Sequence, residues 1–196
     1  AMGGALRDRG DFVGETDTVY GGCFKRKRLL EIGMYDESMV RNQDDELSFR
    51  LRDGGGKIIQ DGRIKIKYLP RSSFWHLFKQ FMQYGYWKVS VIKKHPRQAS
   101  FRHFLPAMLV LGFLTIGLLI PFSLYGLYGF IIFTGTYFLA VGLFSLKPSN
   151  RLNWRIWPGM VFAIFLIHIS FGIGFVIAII GRAFQLKLRW FETLSR

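Results

Sequence analysis

The chain has 196 residues, 50% hydrophobic and 17% aromatic, and its 27 Lys and Arg against 13 Asp and Glu give a formal net charge of +14. A single cysteine, Cys23, excludes a disulfide framework and a thiolate metal site. The basic residues are scattered, with no zinc-finger, helix-turn-helix or RNA-binding signature, so the charge points to anionic lipid and away from nucleic acid.

Along the chain, residues 1–4 lack the apolar core of a signal peptide. Residues 16–20 are expected as a strand running into the Gly21-Gly22 turn, and residues 25–32 as a short helix closed by Gly33. After a turn at residues 34–38, Asn42 stands as a helix N-cap, with Asp44, Asp45 and Glu46 in the first turn. That helix should run to Arg52 and stop at Asp53-Gly54-Gly55-Gly56. Residues 57–60 and 63–68 alternate as two short strands about Asp61-Gly62, the second broken by Pro70. Residues 72–94 form a basic, aromatic helix. Trp75, Phe78, Phe81, Met82, Tyr86 and Val89 recur at spacings of three and four, and Lys79, Lys88, Lys93 and Lys94 supply charge. Such a helix is expected to lie in a membrane interface.

Residues 104–146 contain no charged residue over 43 positions, and a second uncharged run covers residues 157–181. A bilayer core requires roughly 20 apolar residues per helix, so the first run holds two spans and the second one. Pro121-Phe122-Ser123 is the expected break, giving spans near 104–120, 124–146 and 157–181. A soluble chain of this size has little interior for three all-apolar helices. Residues 1–103 carry 20 of the 27 basic and 12 of the 13 acidic residues, so a polar head precedes a membrane anchor. His168 falls in the middle of the last span, expected as a neutral imidazole hydrogen-bonded to a neighbouring helix, with Gly172 and Gly174 beside it for close packing.

Two clusters are candidates for chemistry. Asp44-Asp45-Glu46 favours the helix dipole wherever it stands; alternatively one carboxylate faces a cleft as a general base for a hydroxyl nucleophile. Gln83-Tyr84-Gly85-Tyr86-Trp87-Lys88 reads as an interfacial anchor, or as donors and a cation for an acceptor or diphosphate.

Taken in order, Tyr20-Gly21-Gly22-Cys23-Phe24-Lys25-Arg26, then residues 40–52 around Asp44, then Tyr68-Leu69-Pro70-Arg71-Ser72-Ser73, then residues 83–89 resemble family 2 glycosyltransferases of the GT-A fold. The nearest group is the succinoglycan-type exopolysaccharide enzymes, over roughly residues 16–97. The resemblance implies Asp44 as catalytic base, with Asp45 the adjacent alternative. It implies Gly21, Gly22, Glu46, Gln83 and Trp87 at the acceptor. Tyr86 stands where the family pattern Gln-x-x-Arg-Trp has Arg, leaving Arg71 or Lys88 to meet the diphosphate.

The implied fold is α/β, a partial GT-A domain followed by an all-α transmembrane segment. The expected division is residues 1–72 as the C-terminal part of the transferase domain and 73–103 as the interfacial helix region. Residues 104–181 follow as about three transmembrane helices, and 182–196 as a basic tail. A complete enzyme would add a nucleotide-binding half with an Asp-x-Asp motif for Mg²⁺ or Mn²⁺. Asp8-Arg9-Gly10-Asp11 has the wrong spacing and Glu15-Thr16-Asp17 sits in the expected strand, so no metal ligands are expected here.

The implied activity is transfer of a sugar, with inversion, from a nucleotide-sugar to a lipid-linked or polysaccharide acceptor, in the cell inner (plasma) membrane with the head cytoplasmic. The loop with Lys147, Arg151 and Arg155 is then cytoplasmic by the positive-inside rule, and a third span sends Arg182, Lys187, Arg189 and Arg196 outside, against it. The rival reading is a non-catalytic membrane scaffold subunit of an envelope-polysaccharide complex. A third is a peripheral binder of anionic lipid or nucleic acid through the basic head.

Overall fold

The computed structural model describes residues 12–19, 21–64, 73–186 and 188–191. The chain divides into two compact units. The first takes residues 1–70, 87–99 and 189–194, and the second residues 71–86, 100–188 and 195–196.

In the first unit, β1 (Val13–Glu15) pairs antiparallel with β2 (Ile59–Asp61), Val13 opposite Asp61 and Glu15 opposite Ile59. The strand expected over residues 16–20 therefore lies earlier. Thr16 still donates its N–H to the Ile58 carbonyl at 2.9 Å, and Asp17 and Thr18 then turn away. β2 ends because the Asp61 carboxylate accepts the Arg63 N–H at 2.9 Å, closing a tight turn. β2 thus pairs with β1 across 44 to 48 positions; of the second strand expected at residues 63–68, Arg63 and Ile64 lie in the turn, and residues 65–68 fall outside the described set.

Helix α1 (Arg26–Glu31) is closed by Gly33 at φ 87°, as its sequence indicated. Helix α2 (Gln43–Asp53) begins at Asn42, whose backbone is left-handed (φ 59°) and whose carbonyl accepts the Glu46 N–H at 3.0 Å. Asn42 is the N-cap residue by position, but its side chain gives no capping hydrogen bond. Helix α3 (Phe74–Lys94) contributes its C-terminal part to this unit, where Val91 is buried with Met39 and Phe49 and Trp87 packs against them. Among the described residues β1 and β2 are the only strands. The α/β sheet of a GT-A domain is not shown, and the described chain is mostly helical.

The second unit holds the start of α3 with α4 (Leu105–Leu119), α5 (Leu124–Leu152) and α6 (Trp157–Ala183). A single tight turn at Ile120–Phe122, carrying Pro121, separates α4 from α5 where the sequence placed the break. Three segments, Leu105–Phe122, Leu124–Leu146 and Trp154–Ala183, are long and apolar enough to cross a membrane. Glycines bring the helices close: a Cβ on Gly174 would lie 1.9 Å from the Met82 carbonyl oxygen, one on Gly85 2.0 Å from that of Phe171, and one on Gly172 2.2 Å from that of Pro106. His168 meets the Tyr137 hydroxyl of α5 through Nδ1 at 3.0 Å.

Candidate functional site

The site is built on the first turn of α2, where three successive carboxylates have three different environments. Asp45 is 2% exposed, and its Oδ2 accepts from Lys88 Nζ of α3 at 2.7 Å. Lys88 is equally buried and lies 5.6 Å from the centre of the Phe49 ring. Burial presses the Asp45 pKa upward, but the Lys88 ammonium and hydrogen bonds from Lys88 and the Thr18 hydroxyl outweigh it, so the pKa lies below the ordinary value. Asp45 is thus a fixed anion at neutral pH.

Glu46, also buried, grips Arg50 one turn later at 3.0 Å and 2.7 Å. Its Oε1 also lies 3.1 Å from His95 Nε2, while His95 Nδ1 lies 3.3 Å from Asp53. Arg50 in turn donates to the carbonyls of Ile32 and Met34. These contacts tie α2 to the turn after α1 and to the end of α3. They give Glu46 a structural task.

Asp44 is different. It is exposed, and Oδ1 accepts the backbone N–H of Asp45 at 3.0 Å. Its carboxyl is nevertheless partly desolvated. This partial desolvation, reinforced by the Asp45 charge, raises its pKa above the ordinary carboxylate value. Open access with raised basicity is what a proton acceptor in a cleft requires.

The other expected residues are placed as follows. Gly21 is exposed with φ 63°, a backbone that a side chain would strain. Gly22 is also exposed, and a Cβ there would meet the Phe24 ring at 2.7 Å. The Trp87 indole N–H donates to the Phe191 carbonyl at 2.9 Å, so that donor is engaged within the chain. Lys88 has its ammonium on Asp45. Gln83 belongs to the second unit and is 1% exposed. Arg71 lies outside the described residues. The structure thus brings Asp44, Asp45, Glu46 and Lys88 together.

Sequence reasoning did not single out His95, Arg50 or Thr18, which hold the acidic turn in place. His95 stands 49 residues from Glu46, and Thr18 stands 27 from Asp45. No local spacing signals either pairing. The Arg50–Glu46 pair, four residues apart on one helix, carried a readable signal.

Over 75 residues, 38% of its length, the chain is 35% identical to the succinoglycan biosynthesis protein ExoA of Rhizobium meliloti (strain 1021). The chain spans 23% of the length of that relative. No family model and no solved structure matches it.

Proposed function

We propose that this chain is part of a membrane-associated, inverting glycosyltransferase of cell-surface polysaccharide synthesis, with Asp44 as its base. One observation carries the reading: of three adjacent carboxylates, Asp45 and Glu46 are buried on cationic or imidazole partners, while Asp44 is open and made more basic. The similarity to a succinoglycan biosynthesis protein and the motif resemblance support the substrate class. An acceptor hydroxyl, lipid-linked or on a growing polysaccharide, attacks the anomeric carbon of a nucleotide-sugar. The new glycosidic bond forms as the bond to the diphosphate breaks, the hydroxyl proton passes to Asp44, and the nucleoside diphosphate leaves. Gly21 and Gly22, both exposed, offer backbone to the acceptor. The three apolar helices hold the head at the plasma membrane, on the cytoplasmic side where nucleotide-sugars are made.

The residues of this turn do not fit a divalent cation. Mg²⁺ and Mn²⁺ take several oxygen ligands. Here Asp45 is bound to Lys88 and Glu46 to Arg50 and His95, which leaves Asp44 as a single open carboxylate. A cation on the donor diphosphate is assigned to residues other than these.

The test is Asp44→Asn in the full-length protein, assayed for sugar transfer in membranes. Turnover should fall by about 10²–10⁴-fold with the thermal midpoint unchanged or higher. Undiminished transfer would remove Asp44 from the chemistry. If polysaccharide synthesis depends on the chain yet tolerates the substitution, the scaffold reading replaces this one.

A further inference from the structure

We propose that Lys88 is a positioning residue, which locks the first turn of α2 through Asp45 and so fixes both the orientation of the Asp44 carboxylate and the charge it faces. The inference rests on the reading of Asp44 as base. Lys88 has no open path to a donor diphosphate: its side chain is 2% exposed, and Nζ is bound to Asp45 Oδ2 at 2.7 Å. The link onward runs through the backbone. Asp45 N–H donates to Asp44 Oδ1 at 3.0 Å, so holding the Asp45 side chain holds the donor that orients Asp44. A carboxylate in a nonpolar setting stays ionised only with a partner. Without Lys88, Asp45 would take up a proton or leave its site, and Asp44 would lose its like-charged neighbour. Among the described residues, this pair meets the Thr18 side chain after β1 and the Phe49 ring on α2, and the Glu46–Arg50–His95 cluster begins at the next residue of the turn. Cluster carboxylate and guanidinium are joined to each other, and Lys88 Nζ is in direct contact with Asp45.

Three variants of the full chain in detergent or membranes test the assignment: Lys88→Arg, Lys88→Met, and the paired change Asp45→Leu with Lys88→Met, which leaves no buried charge unmatched. The Asp44 carboxyl is titrated directly by ¹³C NMR, and sugar transfer is followed against pH. In the paired variant the Asp44 midpoint and the acid limb of the transfer profile should both move to lower pH. Turnover should fall while the KM for the donor stays unchanged. Lys88→Arg should return the profile toward the wild type. An unmoved Asp44 midpoint in the folded paired variant would overturn the proposal. A raised donor KM with unchanged turnover would also overturn it, and would return Lys88 to the diphosphate. The titration is independent of catalysis. A shifted midpoint with a transfer profile that ignores Asp44 would therefore sink the base reading alone.

Discussion

Asp45 and Lys88 form a pair whose worth depends on which member is removed. Both side chains are almost wholly out of water, so Lys88→Met alone strands a carboxylate and should cost about 3–5 kcal/mol in chemical denaturation. The paired Asp45→Leu/Lys88→Met change should be near neutral, because desolvating two charges offsets most of their attraction. Asp36 adds a second pH-dependent contact. The hydrogen bond from Lys94, helped by Ser38, lowers its pKa to about 2. Its folded pKa lies below the unfolded value of 3.8. That contribution is therefore complete above about pH 4 and is lost as pH falls toward 2. Asp45, also depressed, has the same sign. Asp44 has the opposite sign: raised in the fold, it stabilises the protonated form and opposes folding once ionised. The thermal midpoint should fall below pH 4, and Asp36→Asn should flatten part of that decline. Lys94 is partly exposed, so the Asp36 effect should stay within about 1 kcal/mol. A decline of equal steepness in Asp36→Asn would assign it to other carboxylates.

Helices were more legible than strands, for a physical reason. α2 announces itself by Asn42, its acidic first turn and its closing glycines, and the apolar helices by length without charge; these signals are local. β1 and β2 are three residues each, and their pairing joins positions 44 to 48 apart. Alternation suggested a hairpin between residues 57–60 and 63–68; the described residues show the turn at Asp61 and pair 59–61 with β1, and residues 65–68 lie outside the described set. The glycines of α6, Gly172 and Gly174, were legible as packing residues, but their partners and the packing role of Gly85 in α3 were not. Gly174 faces the Met82 carbonyl and Gly85 that of Phe171, close enough that any Cβ forces the helix backbones apart. Gly174→Ala and Gly85→Ala should each lower stability in detergent by about 1–3 kcal/mol, the usual range for overpacking. Gly135→Ala in α5 is the control, since nothing lies within 4 Å of its Cβ position. It should be neutral or slightly stabilising. Equal behaviour of the three variants would mean that the close crossings do not form. The Tyr137–His168 bond fulfils the expectation of a satisfied imidazole between helices.

At the scale of the whole chain, the division into a polar head and an apolar set of helices follows from charge distribution alone, because a bilayer tolerates so few charged residues. The candidate base was legible too, through the ordering of motifs. The partners of its neighbours were not, because Lys88 reaches Asp45 and His95 reaches Glu46 only in the folded chain. The head leaves apolar strand residues uncovered: Val13 is 57%, Ile59 54% and Ile64 70% exposed on and beside a two-stranded sheet. A nucleotide site of the expected kind sits against a broader sheet, with its diphosphate held by backbone N–H groups or a bound cation. The described residues provide neither the sheet nor a set of free carboxylates. The chain by itself is therefore expected not to bind uridine diphosphate. Calorimetry with uridine diphosphate and Mn²⁺, using the purified chain in detergent, should give no saturable heat in the micromolar range. A saturable isotherm that disappears in Asp44→Asn would place the donor site on α2 and make Asp44 a ligand of the cation, not the base. An isotherm that persists in Asp44→Asn would place the donor site on other residues of this chain and leave Asp44 free to take the acceptor proton.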